Sequence, residues 1–501
     1  MRGGDPGRPA RHRTVGHLPG EVFCALGAIV ADRWPGAGGD RYRSTAAPAG
    51  RGAGGGTDPG HQSHRRGRGH RPVHWRACGD AGCFGDPDRS WRAPGGGIGV
   101  RRWWHPVACL RQPPADAAVS RCVPEIVLIT DANQLEAAAA LWQRRPALAL
   151  DTEFMRTDTF HPRLALVQLS DGEQVWLVDP LAIADLAPLA RVLQDPTVTK
   201  VLHSCSEDLE VLQHALGCRP APLYDTQVAA AMTGQGFSLG YGALVQRLLG
   251  IELTKQETRS DWLQRPLSAA QLAYAAADVQ HLFSLYLRLV ALADRSGRGA
   301  WIAEEMDQIL AQAGEEIPPA EQFRRIKGGG RLGPADLAVL RELAAWRELE
   351  ARRRDRPRGR IVNDAELLAL VAARPRNRAA LAAVDGLRPR VVRTCGDALL
   401  AALERGAAVP EGARPEAIAQ GPPPRAERDL IRACRDWLGE RAQQLAIAPE
   451  VLARRAHLEQ LARSWSAGQP ALPEALARGW RRTAVGGDLL EFVRGWPAEV
   501  A

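Results

Sequence analysis

Five residues in this chain have the types and spacing needed to hydrolyse a phosphodiester bond. They are four carboxylates and one phenol: Asp151, Glu153, Asp208, Tyr274 and Asp278. Carboxylate oxygens can hold two divalent cations, which together activate a water molecule and stabilise the departing oxygen. The set therefore predicts metal-dependent cleavage of a nucleic acid.

The first two acids lie at the end of a predicted strand. The run from Pro146 to Phe154 is short and apolar and ends in acidic residues, which is typical of a buried strand. Residues i and i+2 of a strand share a face, so Asp151 and Glu153 are expected on the same side. Two neighbouring anions repel unless a cation lies between them. Mg²⁺ suits such a site, because it takes few carboxylates and completes its shell with water and phosphate.

The third acid follows a second predicted strand, Thr199 to His203. A helix is predicted from about Glu207 to Leu216, with Ser204 or Ser206 as its cap and Asp208 in its first turn. Taken alone, an acid at this position more often stabilises the helix N-terminus than binds a metal.

Tyr274 and Asp278 lie on one predicted long helix, from Ser268 to about Ala293. Their spacing of four residues puts them on one face, where Asp278 can join the metal site and Tyr274 can orient or help to deprotonate the attacking water. Taken alone, a pair of this spacing is more often a packed tyrosine beside an exposed aspartate.

The joint pattern resembles the ribonuclease D family, which belongs to the DEDD superfamily of 3′–5′ exonucleases and to its subclass with a Tyr-x-x-x-Asp motif. The resemblance covers Ile126 to about Ala293. It rests on these segments: Asp151-Thr-Glu-Phe154, Leu164-Ala-Leu-Val-Gln-Leu169, Val178-Asp-Pro-Leu181, His203-Ser-Cys-Ser-Glu-Asp-Leu-Glu210, Asp225-Thr-Gln227, Ser260-Asp-Trp-Leu-Gln-Arg-Pro-Leu267 and Tyr274-Ala-Ala-Ala-Asp278.

The resemblance implies a role for each of the five positions. Asp151, Glu153 and Asp278 would bind one cation, Mg²⁺ or Mn²⁺. Asp151 would bridge to a second cation, which Asp208 completes through water, and Tyr274 would position the nucleophile. The implied reaction releases nucleoside 5′-monophosphates from RNA with a free 3′ end, and the implied substrate is precursor tRNA. The residues leave open a DNA 3′–5′ exonuclease and a non-catalytic binding protein on the same fold, although all four acids are present.

The fold class expected is α/β, with a ribonuclease-H-like (DnaQ-like) exonuclease domain followed by two small all-α domains. The first of these resembles the helicase-and-RNase-D C-terminal (HRDC) domain, a nucleic-acid-binding module, and the second resembles it more weakly. The predicted order is an exonuclease domain (123–315), a linker (316–334), a first HRDC domain (335–406), a Pro-rich linker (407–425) and a second, diverged HRDC-like domain (426–496). The sheet is expected to be mixed, with the metal site at the end of the strand that carries Asp151.

Candidate nucleic-acid contacts are Phe154 and His203 in the matched motifs, and Arg352, Arg353 and Arg354 in an arginine-rich turn. Arginines can contact phosphates, but such runs are also common on solvated surfaces. The chain has 62 arginines and only 3 lysines, a bias that a GC-rich genome explains.

The first 122 residues differ from the rest in composition. They hold 24 of the 50 glycines. Their 19 arginines and 9 acids give a net charge of +10 (19 − 9), which is more than the +8 of the whole chain. We expect this leader segment to be disordered, or to result from a start codon assigned too far upstream. Its histidines and cysteines fit no standard zinc-site spacing. The single, scattered cysteines beyond it favour a reduced cytoplasmic protein, and the resemblance implies a monomer with no membrane association.

Overall fold

The structure is a computed structural model that describes residues 125–253, 260–417 and 423–497. The leader segment therefore lies outside the described residues, and the expectation for it stays a prediction. Within the described ranges no helix is both long enough and apolar enough to cross a bilayer.

A six-stranded mixed sheet forms the centre of the N-terminal part. Its strands are β1 (Ile126–Ile129), β2 (Ala147–Met155), β3 (Arg163–Ser170), β4 (Val175–Val178), β5 (Thr199–Leu202) and β6 (Leu223–Asp225), in the order β1-β4-β3-β2-β5-β6. The antiparallel meander β2-β3-β4 is flanked by β1, β5 and β6, which each pair in parallel with their neighbour. The predicted mixed α/β fold is confirmed.

Eight helices surround this sheet in the described residues. They are α1 (Ala132–Trp142), α2 (Ala187–Gln194), α3 (Ser206–Leu216), α4 (Thr226–Met232), α5 (Tyr241–Leu249), α6 (Ala269–Gln280), α7 (Leu282–Ser296) and α8 (Gly299–Gln312). Every residue of β3 from Leu164 to Ser170 is buried, so both faces of the sheet are covered. The single long helix predicted from Ser268 was wrong, because the chain breaks at His281 into α6 and α7.

A first helical unit follows the region that contains the sheet. It contains α9 (Pro334–Arg353), α10 (Arg358–Ile361), α11 (Asp364–Ala373), α12 (Arg378–Ala382) and α13 (Pro389–Ala407). The segment predicted as a linker differs from expectation, since it forms two 3₁₀ helices, Pro319–Arg325 and Gly329–Arg331. Phe323 and Ile326 are buried in the core of the helical unit, where apolar burial offsets the cost of ordering this glycine-rich stretch.

A second helical unit ends the described chain. Its helices are α14 (Arg425–Gln444), α15 (Pro449–Leu452), α16 (Arg455–Ser466), α17 (Glu474–Ala477), α18 (Gly479–Arg481) and α19 (Gly487–Arg494). The indole of Trp480 donates to Glu305 of α8 at 2.7 Å, and its ring stacks on Trp301 with centroids 4.8 Å apart. Arg481 pairs with the same carboxylate at 2.5 Å, so this unit is held on α8 by a buried ion pair and two aromatic rings.

Candidate active site

Strand β2 brings the first two acids to the centre of the sheet. Asp151 lies opposite Gln168 of β3, and Glu153 lies opposite Leu166. A register shift between Glu153 and Phe154 marks a β-bulge directly after the acids. Bulges re-aim the side chains beside them, and are common next to active sites.

Helix α3 places Asp208 against this strand. Thr152 Oγ1 donates to Asp208 Oδ1 at 2.5 Å, and both side chains are buried. The predicted serine cap was wrong: the N-terminal residue is Cys205, which makes no side-chain cap. Its backbone N–H instead donates at 2.9 Å to Asp225 Oδ2, at the end of β6. The negative charge of Asp208 acts on both acids of β2, so Asp208 lies near them in the candidate site.

Helix α6 carries Tyr274 and Asp278. Ser268 and Gln271 begin it with a capping box, and the helix packs on β2, β3 and β4. Tyr274 and Asp278 lie four residues apart on one face of the helix, and the Tyr274 ring lies 5.9 Å from that of Trp262 between centroids. The tyrosine and the acid therefore reach the site as one unit.

The four carboxylates share one electrostatic environment. Burial raises the pKa of Asp151 well above its usual range, and repulsion from Asp208, Asp278 and Glu153 adds to that rise. Burial and two of these neighbours raise the pKa of Glu153 to about 8, and burial raises the pKa values of Asp208 and Asp278 to about 7. Without a cation the site therefore retains protons at neutral pH.

The residues fit divalent cations in chemistry but are not yet closed around them. Oxygen donors and clustered negative charge are what Mg²⁺ and Mn²⁺ require. In the described part of the chain no three His, Cys, Asp or Glu side chains are arranged tightly enough to hold an ion. Thr152 orients one of the four candidate carboxylates, because its hydroxyl donates to Asp208.

Gln168 is a site residue that the sequence reasoning missed. Its side chain is fully buried, and neither its amide nitrogen nor its amide oxygen has a hydrogen-bond partner among the described residues. Directly opposed residues of antiparallel strands point to the same face, so this amide lies beside Asp151. A buried amide without a partner is costly, and such groups cluster where function requires them. Gln168 lies in the segment 164–169 that contributes to the family resemblance, and this position could have identified it as a candidate site residue.

Two further residues hold the walls of the site. Tyr241 accepts the His281 N–H at 3.2 Å and donates to Ala277 O at 3.1 Å, which fixes the break beside Asp278. Arg265 makes a bidentate pair with Asp179 at 2.6 and 2.8 Å, and so fastens the loop that carries Trp262. Both sets of contacts join segments that are distant in the chain, so the sequence alone did not predict them.

His203 and Phe154 remain predictions as nucleic-acid contacts. Both ring nitrogens of His203 are engaged, Nδ1 with Thr226 Oγ1 at 2.9 Å and Nε2 with Leu239 O at 3.1 Å. Burial lowers the pKa of this imidazole, so it is neutral and holds the segment before α5. Phe154 is half-buried just beyond the bulge.

The predicted phosphate-binding arginines are largely engaged in ion pairs. Arg352 pairs with Glu348 and Glu316, and Arg353 and Arg354 both pair with Glu350. Only Arg353 is mostly exposed, with 67% of its side chain accessible. Their contact with nucleic acid also remains a prediction.

Neighbouring residues of the arginine-rich turn contact the exonuclease loop between β2 and β3. The guanidinium groups of Arg352 and Arg358 lie 5.6 and 4.6 Å from the ring centre of Phe160. Asp355 accepts the Phe160 N–H at 2.9 Å, and Arg360 pairs with Asp158 at 2.5 Å. The turn therefore forms an interface with the segment that follows the catalytic strand.

Comparison with known proteins agrees with this geometry. The family model of a 3′–5′ exonuclease domain matches residues 126–293, and that of an HRDC domain matches residues 336–403. The chain is 46% identical to the ribonuclease D of Pseudomonas paraeruginosa over 368 residues, which is 73% of this chain and 97% of the relative. It is 35% identical to that of Escherichia coli K12 over 74% of this chain and 99% of the relative.

The solved structures give the same result. The crystal structure of E. coli RNase D, described as an exoribonuclease involved in structured RNA processing, aligns with a TM-score of 0.68 at 35% identity, over 75% of this chain and all of that one. Fold and site together define a 3′–5′ exonuclease of the DEDD class with an HRDC domain. The chain belongs to the ribonuclease D family, and it is a 3′–5′ exoribonuclease.

Proposed function

We propose that the chain shortens RNA from a free 3′-hydroxyl end by hydrolysis assisted by two divalent cations, Mg²⁺ or Mn²⁺, and releases nucleoside 5′-monophosphates. The observation that carries the proposal is the convergence of four carboxylates. Asp151 and Glu153 share one face of β2, Thr152 of the same strand donates to Asp208, and Asp278 lies on α6, which packs on β2. Such a cluster is unfavourable alone, and bound cations would offset the repulsion. When bound, the cations would supply an activated water and charge stabilisation at the leaving oxygen.

The protein residues would divide the remaining work. Asp151, Glu153, Asp208 and Asp278 would hold the ions, and the amide of Gln168 would orient Asp151 from β3. Burial and nearby acids raise the pKa of Tyr274, so its hydroxyl stays protonated. A protonated phenol orients the attacking water by a hydrogen bond and does not act as its base.

The proposed substrate is the 3′ end of a structured RNA, precursor tRNA in particular. Support comes from the family relationship, since the aligned E. coli enzyme is described as acting in structured RNA processing. We further propose a monomer in the cytoplasm, where the four buried free cysteines Cys205, Cys218, Cys395 and Cys434 would stay reduced.

The test is digestion of a 5′-labelled single-stranded RNA by the full chain with Mg²⁺, Mn²⁺ or EDTA, beside a DNA of the same sequence. We expect a metal-dependent ladder that shortens from the 3′ end, is weaker on DNA and is lost in Asp151→Asn. Asp436→Asn changes the same charge at an exposed position of α14 and should digest normally. Equal digestion by Asp151→Asn, or a stronger ladder on DNA, would overturn the proposal.

A further inference from the structure

A cavity of about 330 Å³ lies in the first helical unit. It is lined by five arginines and four other residues: Arg354, Arg356, Arg360, Arg388, Arg390, Ile361, Val391, Thr394 and Cys395. The lining contains no acidic residue. A site with this composition is suited to an anion with several acceptor oxygens.

The charge of the cavity is only partly neutralised by its neighbours. Arg354 pairs with Glu350, Arg388 pairs with the buried Glu366 at 2.7 Å, and Arg360 pairs with Asp158. Arg390 is exposed and has no ion pair among the described residues, so its charge is free for a ligand.

The start of α13 adds a second favourable feature. This helix begins at Pro389 and continues for 19 residues. Its cap residue Arg388 makes no side-chain hydrogen bond to the helix, and its first turn holds no acid. The positive end of the helix dipole is therefore uncompensated, and it lies beside Arg390, Val391 and Thr394 at the cavity wall.

Two residues that line the cavity also contact the loop between β2 and β3. Arg356 and Arg360 contact Asp158, through the backbone oxygen at 3.2 Å and the carboxylate at 2.5 Å. Asp158 follows Met155, the last residue of the strand that carries Asp151 and Glu153. An anion in the cavity is thus close to the loop that leaves the catalytic strand.

We propose that this cavity binds a backbone phosphate of the RNA strand whose 3′ end occupies the active site. The proposal deepens the proposed function, because it assigns a binding site for the part of the substrate upstream of the cleaved bond. The cavity is larger than one phosphate. Because two of its arginines also contact the β2–β3 loop, an RNA strand is favoured over free phosphate as the ligand. Binding would release counterions and would depend on salt.

The test measures affinity without cleavage. Full-length Asp151→Asn protein is titrated into a fluorescent single-stranded RNA, alone or combined with Arg390→Gln. Losing one phosphate contact to a single strand should weaken binding about fivefold at 0.1 M salt and lower the salt slope by about 0.7. The matched control is Arg393→Gln, an exposed arginine of the same helix outside the cavity, which should bind RNA as the parent does.

Two further experiments are needed. One distinguishes RNA from free phosphate as the ligand of the cavity, and the other distinguishes a failure of this inference from a failure of the proposed function. Inorganic phosphate is titrated calorimetrically; weaker phosphate binding by Arg390→Gln with unchanged RNA affinity would reassign the cavity to free phosphate and overturn the proposal. Equal RNA affinities of Arg390→Gln and Arg393→Gln would also overturn it. If the wild-type chain bound RNA through Arg390 but cleaved none, the proposed reaction would fail and this inference would stand.

Discussion

The four-carboxylate cluster should make the metal-free protein less stable than a variant that lacks one of the acids. Asp208 is only 7% exposed, and burial raises its pKa from 3.8 to about 7. One pKa unit is equivalent to about 1.4 kcal/mol, so the ionised carboxylate disfavours the folded state by up to about 4 kcal/mol. Asp208→Asn removes this cost and keeps an acceptor for Thr152.

The sign of the pH dependence follows from the direction of the shift. Because the folded pKa lies above the unfolded one, the native state binds more protons between pH 4 and 7, and wild-type stability falls as the pH rises through this window. In EDTA, the free energy of unfolding of Asp208→Asn should exceed that of the wild type by up to about 4 kcal/mol at pH 8 and by about 2 kcal/mol at pH 5.

Urea unfolding in EDTA, followed by circular dichroism at both pH values, measures these differences. Asp436→Asn is the control and should stay within about 0.5 kcal/mol of the wild type, as most surface changes do. Mg²⁺ should stabilise the wild type more than Asp208→Asn, because the variant lacks one metal-binding group. A variant no more stable than the wild type at pH 8, or an equal gain at both pH values, would refute the electrostatic reasoning.

Three other substitutions test the surroundings of the site. Tyr274→Phe should lower kcat about 100-fold and leave KM nearly unchanged, which steady-state and single-turnover kinetics would measure. A change confined to KM would contradict a role of Tyr274 in orienting water. Gln168→Met should raise the free energy of unfolding by about 1 kcal/mol while activity falls about tenfold, and full activity would count against its orienting role. Phe160→Ala removes two cation–π contacts and should cost about 1–2 kcal/mol by calorimetry, with Phe237→Ala, at an exposed site, as the control; equal losses would argue against the interface.

The acids of the site were predictable because their signal is local. Asp151 and Glu153 share a strand face, and Tyr274 and Asp278 share a helix face, whatever the rest of the fold does. The resemblance then linked these pairs to Asp208, which alone was better explained as a helix-terminal acid. The structure shows it hydrogen-bonded to Thr152 of the catalytic strand.

Other features depend on contacts between distant segments and were not predictable. The break at His281 is fixed by the Tyr241 hydroxyl, 40 residues away in the chain. Asp225 holds the start of α3 in place of a local serine, and Ser204 adopts a left-handed backbone with φ of 60°. The unpaired amide of Gln168 becomes visible only once β3 is set beside β2.

The arginine-lined cavity has a consequence for how protons influence this enzyme. Guanidinium groups keep their charge at every pH that the fold tolerates, and the chain has only 3 lysines. The carboxylates of the metal-free active site exchange protons near pH 7 to 8. The affinity of the arginine-lined cavity for RNA should therefore stay constant from pH 6 to 8. The affinity of the carboxylates for cations should increase over the same range, because the carboxylates lose their protons.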